Sequence, residues 1–214
     1  MAGELTTIAG LAEATEARLV ASAGRVMLAI AGAPGSGKST LAEGLADTLN
    51  RRQPGLAAIL PMDGFHYDDL YLLPAGLRPR KGAPQTFDVG GLYHILLRLK
   101  ARDETDVAVP VFDRKIEIAR AGARLIASDV AVIVVEGNWL LLDQAPWSRL
   151  RPLWDITVRV DVPESVLRTR LRARWEGLGL SDAEIAAKLE ANDLPNGRLV
   201  RDGSVTPDWR IVNG

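Results

Sequence analysis

The chain has no cysteine and only two histidines, His66 and His94. The first absence removes disulfides, thiolate nucleophiles and cysteine-based zinc centres. The second leaves too few imidazoles for a histidine-rich metal site. Charge of one sign is also missing, because 26 basic side chains face 27 acidic ones for a formal net charge of −1. No global field draws in nucleic acid or an anionic membrane surface, and neither is expected as a partner. No apolar run approaches the roughly 20 residues of a bilayer-spanning helix, so no membrane insertion is expected. Glu4, Glu13 and Glu16 stand near the start, where a secretion or transit signal would be basic and then apolar. A cytoplasmic protein is the expectation. At 214 residues, one domain over 1–214 can bury a sizeable core without covalent staples.

What is present is an alternation of apolar strands and helical stretches, the pattern of a parallel sheet covered on both faces. Leu5, Ile8, Leu11, Ala12, Thr15 and Leu19 recur at helical spacing and predict an amphipathic helix within 1–24. A strand at 26–31, a helix over 40–50 and a strand at 56–62 follow, with Pro61 at that strand's end because it lacks an N–H. Positions 63–88 form a long polar, Gly- and Pro-rich connection, a feature that usually carries function. Asp88 or a neighbour caps a helix through 92–102. Short extended pieces are expected at 107–112 and 125–126, and buried strands at 131–135 and 156–162. Pro163 opens a helix through 164–176. Ser181 and Glu184 form a capping box for another, reaching about Ala191. The tail from Pro195 holds two apolar pieces, 199–200 and 209–212.

The chemistry begins directly after the first of these buried strands. Gly32, Ala33, Pro34, Gly35, Ser36, Gly37, Lys38, Ser39 and Thr40 spell G-x-x-x-x-G-K-S-T between a buried strand and a helix. Glycines let a backbone approach an anion closely, so that successive N–H groups can surround phosphate oxygens. The helix N-terminus adds its dipole and free N–H groups. Lys38 would reach the β- and γ-phosphates of a nucleoside triphosphate such as ATP, and the Ser39 hydroxyl would bind Mg²⁺. Glu136 closes a buried strand at the same edge of the sheet, where it would hold Mg²⁺ directly or through water.

Asp63, in Met-Asp-Gly-Phe-His after the second strand, distinguishes a kinase from a simple nucleotidase. A kinase needs a group to accept a hydroxyl proton and orient the oxygen for in-line attack. Asp63 is the candidate base, against the plainer reading of a turn-forming Asp-Gly pair. His66 is either a substrate contact or a satisfied loop histidine. Arg168, Arg170, Arg172 and Arg174 lie on one helix. Arg170 and Arg174 share a face and would act from a lid, with Gly177 and Gly179 as hinges. Arg168 and Arg172 read as a solvated face.

In order, GAPGSGKST, MDGFH, LRPRKGAPQTFD, VPVFDR, VVEGNWLLL, RLRARW and NDLPNG resemble the phosphoribulokinase/uridine kinase family of P-loop kinases. Within it, the chain resembles bacterial proteins called fructose transport system kinases or nucleoside/nucleotide kinase-like proteins. The resemblance covers nearly all of the chain from about Arg25. It implies an α/β three-layer fold with a five-stranded parallel core, flanking helices and a helical lid over about 163–191. It implies transfer of the ATP γ-phosphate to a small-molecule hydroxyl, with Lys38 and the loop amides on phosphate. Ser39 and Glu136 fall to Mg²⁺, Asp63 to the base, Arg170 and Arg174 to the lid, and Asn192 and Pro195 to the adenine side. It also allows a homodimer to which the N-terminal helix contributes.

The acceptor pocket then draws on 63–88 and 109–115. Arg78, Arg80 and Lys81 either bind an anionic acceptor or form a solvated loop. Asp113 and Arg114 offer complementary groups to sugar hydroxyls, and Asp113 is a second candidate base. Tyr67, Phe87 and Phe112 would wall the pocket. Phe112, Asp113 and Arg114 stand where uridine kinases have a tyrosine, which weakens the case for uridine. A sugar-type alcohol is the favoured acceptor. A nucleoside or pantothenate-type kinase is the nearest alternative, and a regulatory nucleotide switch acting on a protein partner is the alternative of another class.

Overall fold

The computed structural model describes residues 3–22 and 24–214. A two-residue strand β1 (Glu4–Leu5) precedes helix α1 (Ile8–Ala21). Leu5 therefore leaves the expected helical stripe and pairs in a sheet. Thr7 separates the two elements, its hydroxyl accepting from the Gly10 N–H and satisfying one free helix donor. Positions 1, 2 and 23 of the expected N-terminal segment lie outside the described residues.

Strand β2 (Val26–Gly32) is buried throughout, and helix α2 (Lys38–Arg52) begins two residues earlier than position 40. Gly37, at φ +83°, makes the turn that starts it. Strand β3 (Ala57–Pro61) ends on its proline. The long connection is not a bare loop. It holds a 3₁₀ turn at Met62–Phe65, a one-turn helix α3 (Asp69–Leu72) and further 3₁₀ turns at Arg78–Arg80 and Pro84–Thr86. Asp88 caps helix α4 (Val89–Ala101), accepting from the Gly91 N–H.

Strands β4 (Asp106–Asp113) and β5 (Ile118–Ala127) form an antiparallel hairpin apart from the main sheet. Only fragments of it were expected, because most of β5 is exposed and carries no apolar alternation. Next come β6 (Val132–Gly137), β7 (Ile156–Asp161) and helix α5 (Glu164–Gly177). Helix α6 (Asp182–Lys188) starts at the expected capping box. It does not stop near Ala191, but passes through a π turn (Leu189–Asp193) into helix α7 (Leu194–Gly203). Pro195 lies in the first turn of α7, where a missing N–H costs no intrahelical bond. Strand β8 (Trp209–Val212) closes the sheet.

The main sheet runs β1-β8-β7-β2-β6-β3, with every pairing parallel. It has six strands where five were expected, the sixth being the short β1 at the edge. Side chains alternate across a strand, so the central strands feed two cores. Val26, Leu28, Ile30, Val132, Val134 and Val158 pack with Leu11, Leu41 and Leu45 of α1 and α2. Met27, Ala29, Ile133 and Val135 pack with Leu92 and Leu96 of α4 and with Trp139 and Trp147. Burial on both faces explains why these strands read as continuous apolar runs. Among the described residues, no helix is long and apolar enough to cross a membrane.

One buried charge stitches this architecture together. Arg25 is 4% exposed. Its guanidinium donates to the carbonyl of Leu99 at the end of α4, of Ala127 at the end of β5, and of Ser128 and Val130 before β6. Replacing it with Met keeps most of the volume but removes the guanidinium donors to the Leu99 and Val130 carbonyls, while Ser128 keeps Arg102 and Ala127 keeps the Val130 N–H. Arg25→Met is expected to lower unfolding stability by about 3 kcal/mol, measured by urea denaturation. A loss within experimental scatter would show that these carbonyls find other partners.

Candidate active site

The carboxyl ends of β2, β6 and β3 meet along one edge of the sheet. Glu136 on β6 pairs in register with Ile30 of β2 on one side and Pro61 of β3 on the other. The loop leaving β2 and the turn leaving β3 therefore flank one carboxylate. In the loop, Gly35 and Gly37 adopt φ of +77° and +83°, a region that disfavours side chains. Lys38 and Ser39 open α2 with its free N–H groups. The Ser39 hydroxyl donates to Glu136 Oε2 at 3.1 Å. Burial pushes the Glu136 carboxyl up; Lys38 pulls it down and nearby Asp63 adds to the rise.

Asp63 sits in the Met62–Phe65 turn, beneath the β4–β5 hairpin. Gly64 permits that approach, because a Cβ there would lie 2.5 Å from the Pro110 carbonyl oxygen. Arg114, at the tip of the hairpin, donates to Asp63 Oδ2 at 2.6 Å. Burial alone would raise the Asp63 carboxyl, but His66, Lys38, Arg114 and Arg174 outweigh it and hold the group below its ordinary value. Burial also lowers His66. His66 packs against Phe87 and Phe112, with centroids 4.0 and 4.8 Å away, and its Nδ1 lies 2.8 Å from the Asp63 carbonyl.

A cavity of about 200 Å³ opens between these groups. The loop contributes Pro34, Gly35 and Lys38, and the 63–88 connection contributes Asp63, His66, Arg78, Lys81 and Phe87. Phe112, Arg114 and Glu117 come from the hairpin, and Arg174, Trp175, Lys188, Asn192, Asp193 and Asn196 from the helical lid. Cations outnumber acids around it. Lys81 donates to Asp69 at 2.9 Å and Arg78 to the same carboxylate at 2.7 Å. Arg174 and Lys188 have no ion-pair partner among the described residues and instead lie over the Trp175 ring.

Several expected site residues face elsewhere. Arg170 does not join Arg174, because its guanidinium donates to the Asn213 carbonyl at 2.9 Å. Tyr67 packs on Tyr71, with centroids 4.9 Å apart. Arg80 donates to the Ala191 carbonyl, outside the cavity. Asp113 pairs with Arg120 across the hairpin at 2.8 Å and does not line the cavity, whose carboxylates are Asp63, Glu117 and Asp193. Asn192 faces the cavity, its amide donating to the Lys81 carbonyl at 3.0 Å, and Pro195 does not line it. Arg168 and Arg172 make exposed ion pairs with Glu190 and with Glu176 and Asp182, as a solvated face should.

Sequence reasoning missed Asn138, Trp175, Lys188 and Asn196. Asn138 is 9% exposed, lines the cavity and leaves its Oδ1 without a partner. Its place two residues beyond Glu136 was the available signal. Trp175 donates from Nε1 to Asp193 Oδ2 at 2.8 Å, a contact that depends on how the lid folds back.

Known proteins share this arrangement. A candidate uridine kinase from Schizosaccharomyces pombe is 35% identical over 191 residues, covering 86% of this chain and 81% of its own. The uncharacterized protein YggC of Escherichia coli is 37% identical over 174 residues, covering 80% and 71%. The crystal structure of a candidate fructose transport system kinase from Silicibacter sp. TM1040 superposes with a TM-score of 0.88 at 42% identity, covering 96% and 98%. The family model for magnesium chelatase, subunit ChlI, matches residues 4–55, a segment that holds the loop and its flanking strand and helix. The chain belongs to the phosphoribulokinase/uridine kinase family of P-loop kinases. It is an ATP-dependent phosphotransferase acting on a hydroxyl group of a small molecule.

The charge balance around Asp63 is testable without substrate. Arg114→Met removes one of the cations holding the carboxylate down, so its titration midpoint should move upward. Carboxyl ¹³C NMR across an acid titration reads this directly; an unmoved midpoint would assign the depression to His66, Lys38 and Arg174 without Arg114.

Proposed function

We propose that the chain transfers the γ-phosphate of Mg·ATP to a hydroxyl of a small polyhydroxylated acceptor of sugar type, with Asp63 as general base. Residues 32–40 and Lys38 hold the phosphates. Ser39 and Glu136 are two hard oxygen donors within hydrogen-bond reach of each other, a pair suited to Mg²⁺. Among the described residues, no cluster of three or more His, Cys, Asp or Glu could hold a metal unaided. The remaining metal ligands would be nucleotide oxygens and water. When bound, Mg²⁺ neutralises charge on the phosphate oxygens.

Asp63 accepts the acceptor's hydroxyl proton as the oxygen attacks phosphorus. Its depressed pKa makes it a weak ground-state base, and proton transfer accompanies rather than precedes bond formation. Arg174 stands across the cavity to meet charge on the transferred group. The reading rests above all on Asn138, whose buried Oδ1 lacks a donor on the same cavity as Asp63. A buried acceptor left unpaired is costly, and an incoming hydroxyl satisfies it. Carboxylate, amide and guanidinium groups around the cavity offer complementary acceptors and donors to the hydroxyls of a sugar or hydroxy acid. The unpaired Arg174 and Lys188 favour, as a second reading, an acceptor that already carries a phosphate or carboxylate.

ADP release from Mg·ATP should be measured across sugars, sugar phosphates, hydroxy acids, nucleosides and pantothenate. Asp63→Asn is expected to lower acceptor-dependent release by about 10³-fold while still binding ATP. Retained turnover would remove Asp63 as the base. Asn138→Leu should raise the acceptor KM by about tenfold without lowering Tm, since it removes an unsatisfied group. A lower Tm with an unchanged acceptor KM would make Asn138 structural. Strict preference for a nucleoside would contradict the sugar-type reading.

A further inference from the structure

Asn213 lies just beyond β8, far in sequence from the loop at 32–38, yet it touches that loop. Its side-chain Nδ2 donates to the Ser36 carbonyl at 2.8 Å. Its backbone N–H donates to the Asp161 carbonyl at the end of β7, at 3.0 Å. Its own carbonyl accepts from Arg170 of α5 at 2.9 Å. One residue thus joins the loop, the sheet edge and the lid helix. Gly37 leaves just enough room for it, because a Cβ there would stand 2.5 Å from Nδ2.

We propose that Asn213 is a positioning residue that sets the peptide orientation of the phosphate loop and couples it to the lid helix through Arg170. The proposal rests on the reading of residues 32–40 as the phosphate cradle. Its physical basis is the planar trans peptide, in which a carbonyl and the following N–H point in opposite directions. Drawing the Ser36 carbonyl toward Asn213 turns the Gly37 N–H to the other side of the loop, where phosphate oxygens would accept it. Glycine at 37 makes this peptide easy to reorient. Without the clip, nucleotide binding must select the correct orientation from alternatives, and apparent affinity falls by the fraction of loops correctly set. The Asn213 main chain is held at Asp161 whatever its side chain, so the clip has a fixed anchor. Arg170 carries the connection onward: lid position biases Asn213, and Asn213 biases the loop. This gives Arg170 a role other than direct contact with the transferred phosphate.

The test is calorimetric titration of Mg·ATP into the full chain. Asn213→Leu keeps approximate size and the backbone anchor but removes the donor. The expected result is a Kd raised roughly tenfold, with faster amide exchange confined to the loop peptide and an unchanged Tm. Arg170→Ala, a second and milder variant at a half-buried helix position, should weaken binding in the same direction. The double variant should lose little beyond Asn213→Leu, because both act through one loop. A Kd for Asn213→Leu within about twofold of the parent, or losses that simply multiply in the double variant, would overturn the proposal. Lys38→Ala measured alongside separates two failures. If it weakens binding while Asn213→Leu does not, the cradle stands and the clip falls. If neither weakens binding, the cradle assignment falls with it.

Discussion

The parallel register between β2 and β6 is the constraint on which the site depends. It sets Ile30 opposite Glu136 and Ala31 opposite Gly137, so the loop leaving β2 begins beside the carboxylate that ends β6. A slip of one residue would turn Glu136 to the other sheet face and separate it from Ser39. The register is held by burial on both faces, with β2 and β6 shielded throughout their lengths. At roughly 25 cal/mol per Å² of apolar surface removed from water, such strands have no competitive alternative pairing. The hydrophobic core and the placement of polar groups at its edge are one design.

Charge is then arranged across that edge. Two carboxylates share the site, and their surroundings push them apart: Asp63 is lowered and Glu136 raised. The difference follows from position. Asp63 faces the hairpin and lid, which bring Arg114 and Arg174 from outside the sheet. Glu136 is enclosed by the sheet, with Ser39 and Lys38 for company. The lowered Asp63 carboxylate stays ionised through neutral pH, while the raised Glu136 lies where the proposed Mg²⁺ would supply the counter-charge that burial withholds.

The strands and the loop were legible because burial leaves a direct mark on sequence. Runs such as 26–31 and 131–135 are apolar on both faces, and GAPGSGKST needs its glycines for backbone reasons alone. The capping box at Ser181 and the cap at Asp88 were equally local. What escaped depends on distant contacts. The exposed strand β5, rich in Arg and Ala, has no periodic signal and is defined by pairing with β4. The helix expected to reach about Ala191 continues instead, because the polar side chains that follow, Asn192 and Asp193, bond to Lys81 and Trp175 and the backbone bridges them as a π turn. Arg170 and Arg174 share a spacing, yet Asn213 captures one and the cavity receives the other. No local pattern around Asn213 or Asn138 reveals which long-range partner each finds or lacks.

In the proposed direct transfer, Asp63 takes a proton rather than a phosphoryl group. Stereochemistry at phosphorus tests that claim most directly. With ATP made chiral at the γ-phosphorus and an acceptor the enzyme uses, a single in-line displacement inverts configuration, and inversion is the predicted result. Retention would contradict the account, because it requires two displacements through a phosphorylated group on the enzyme.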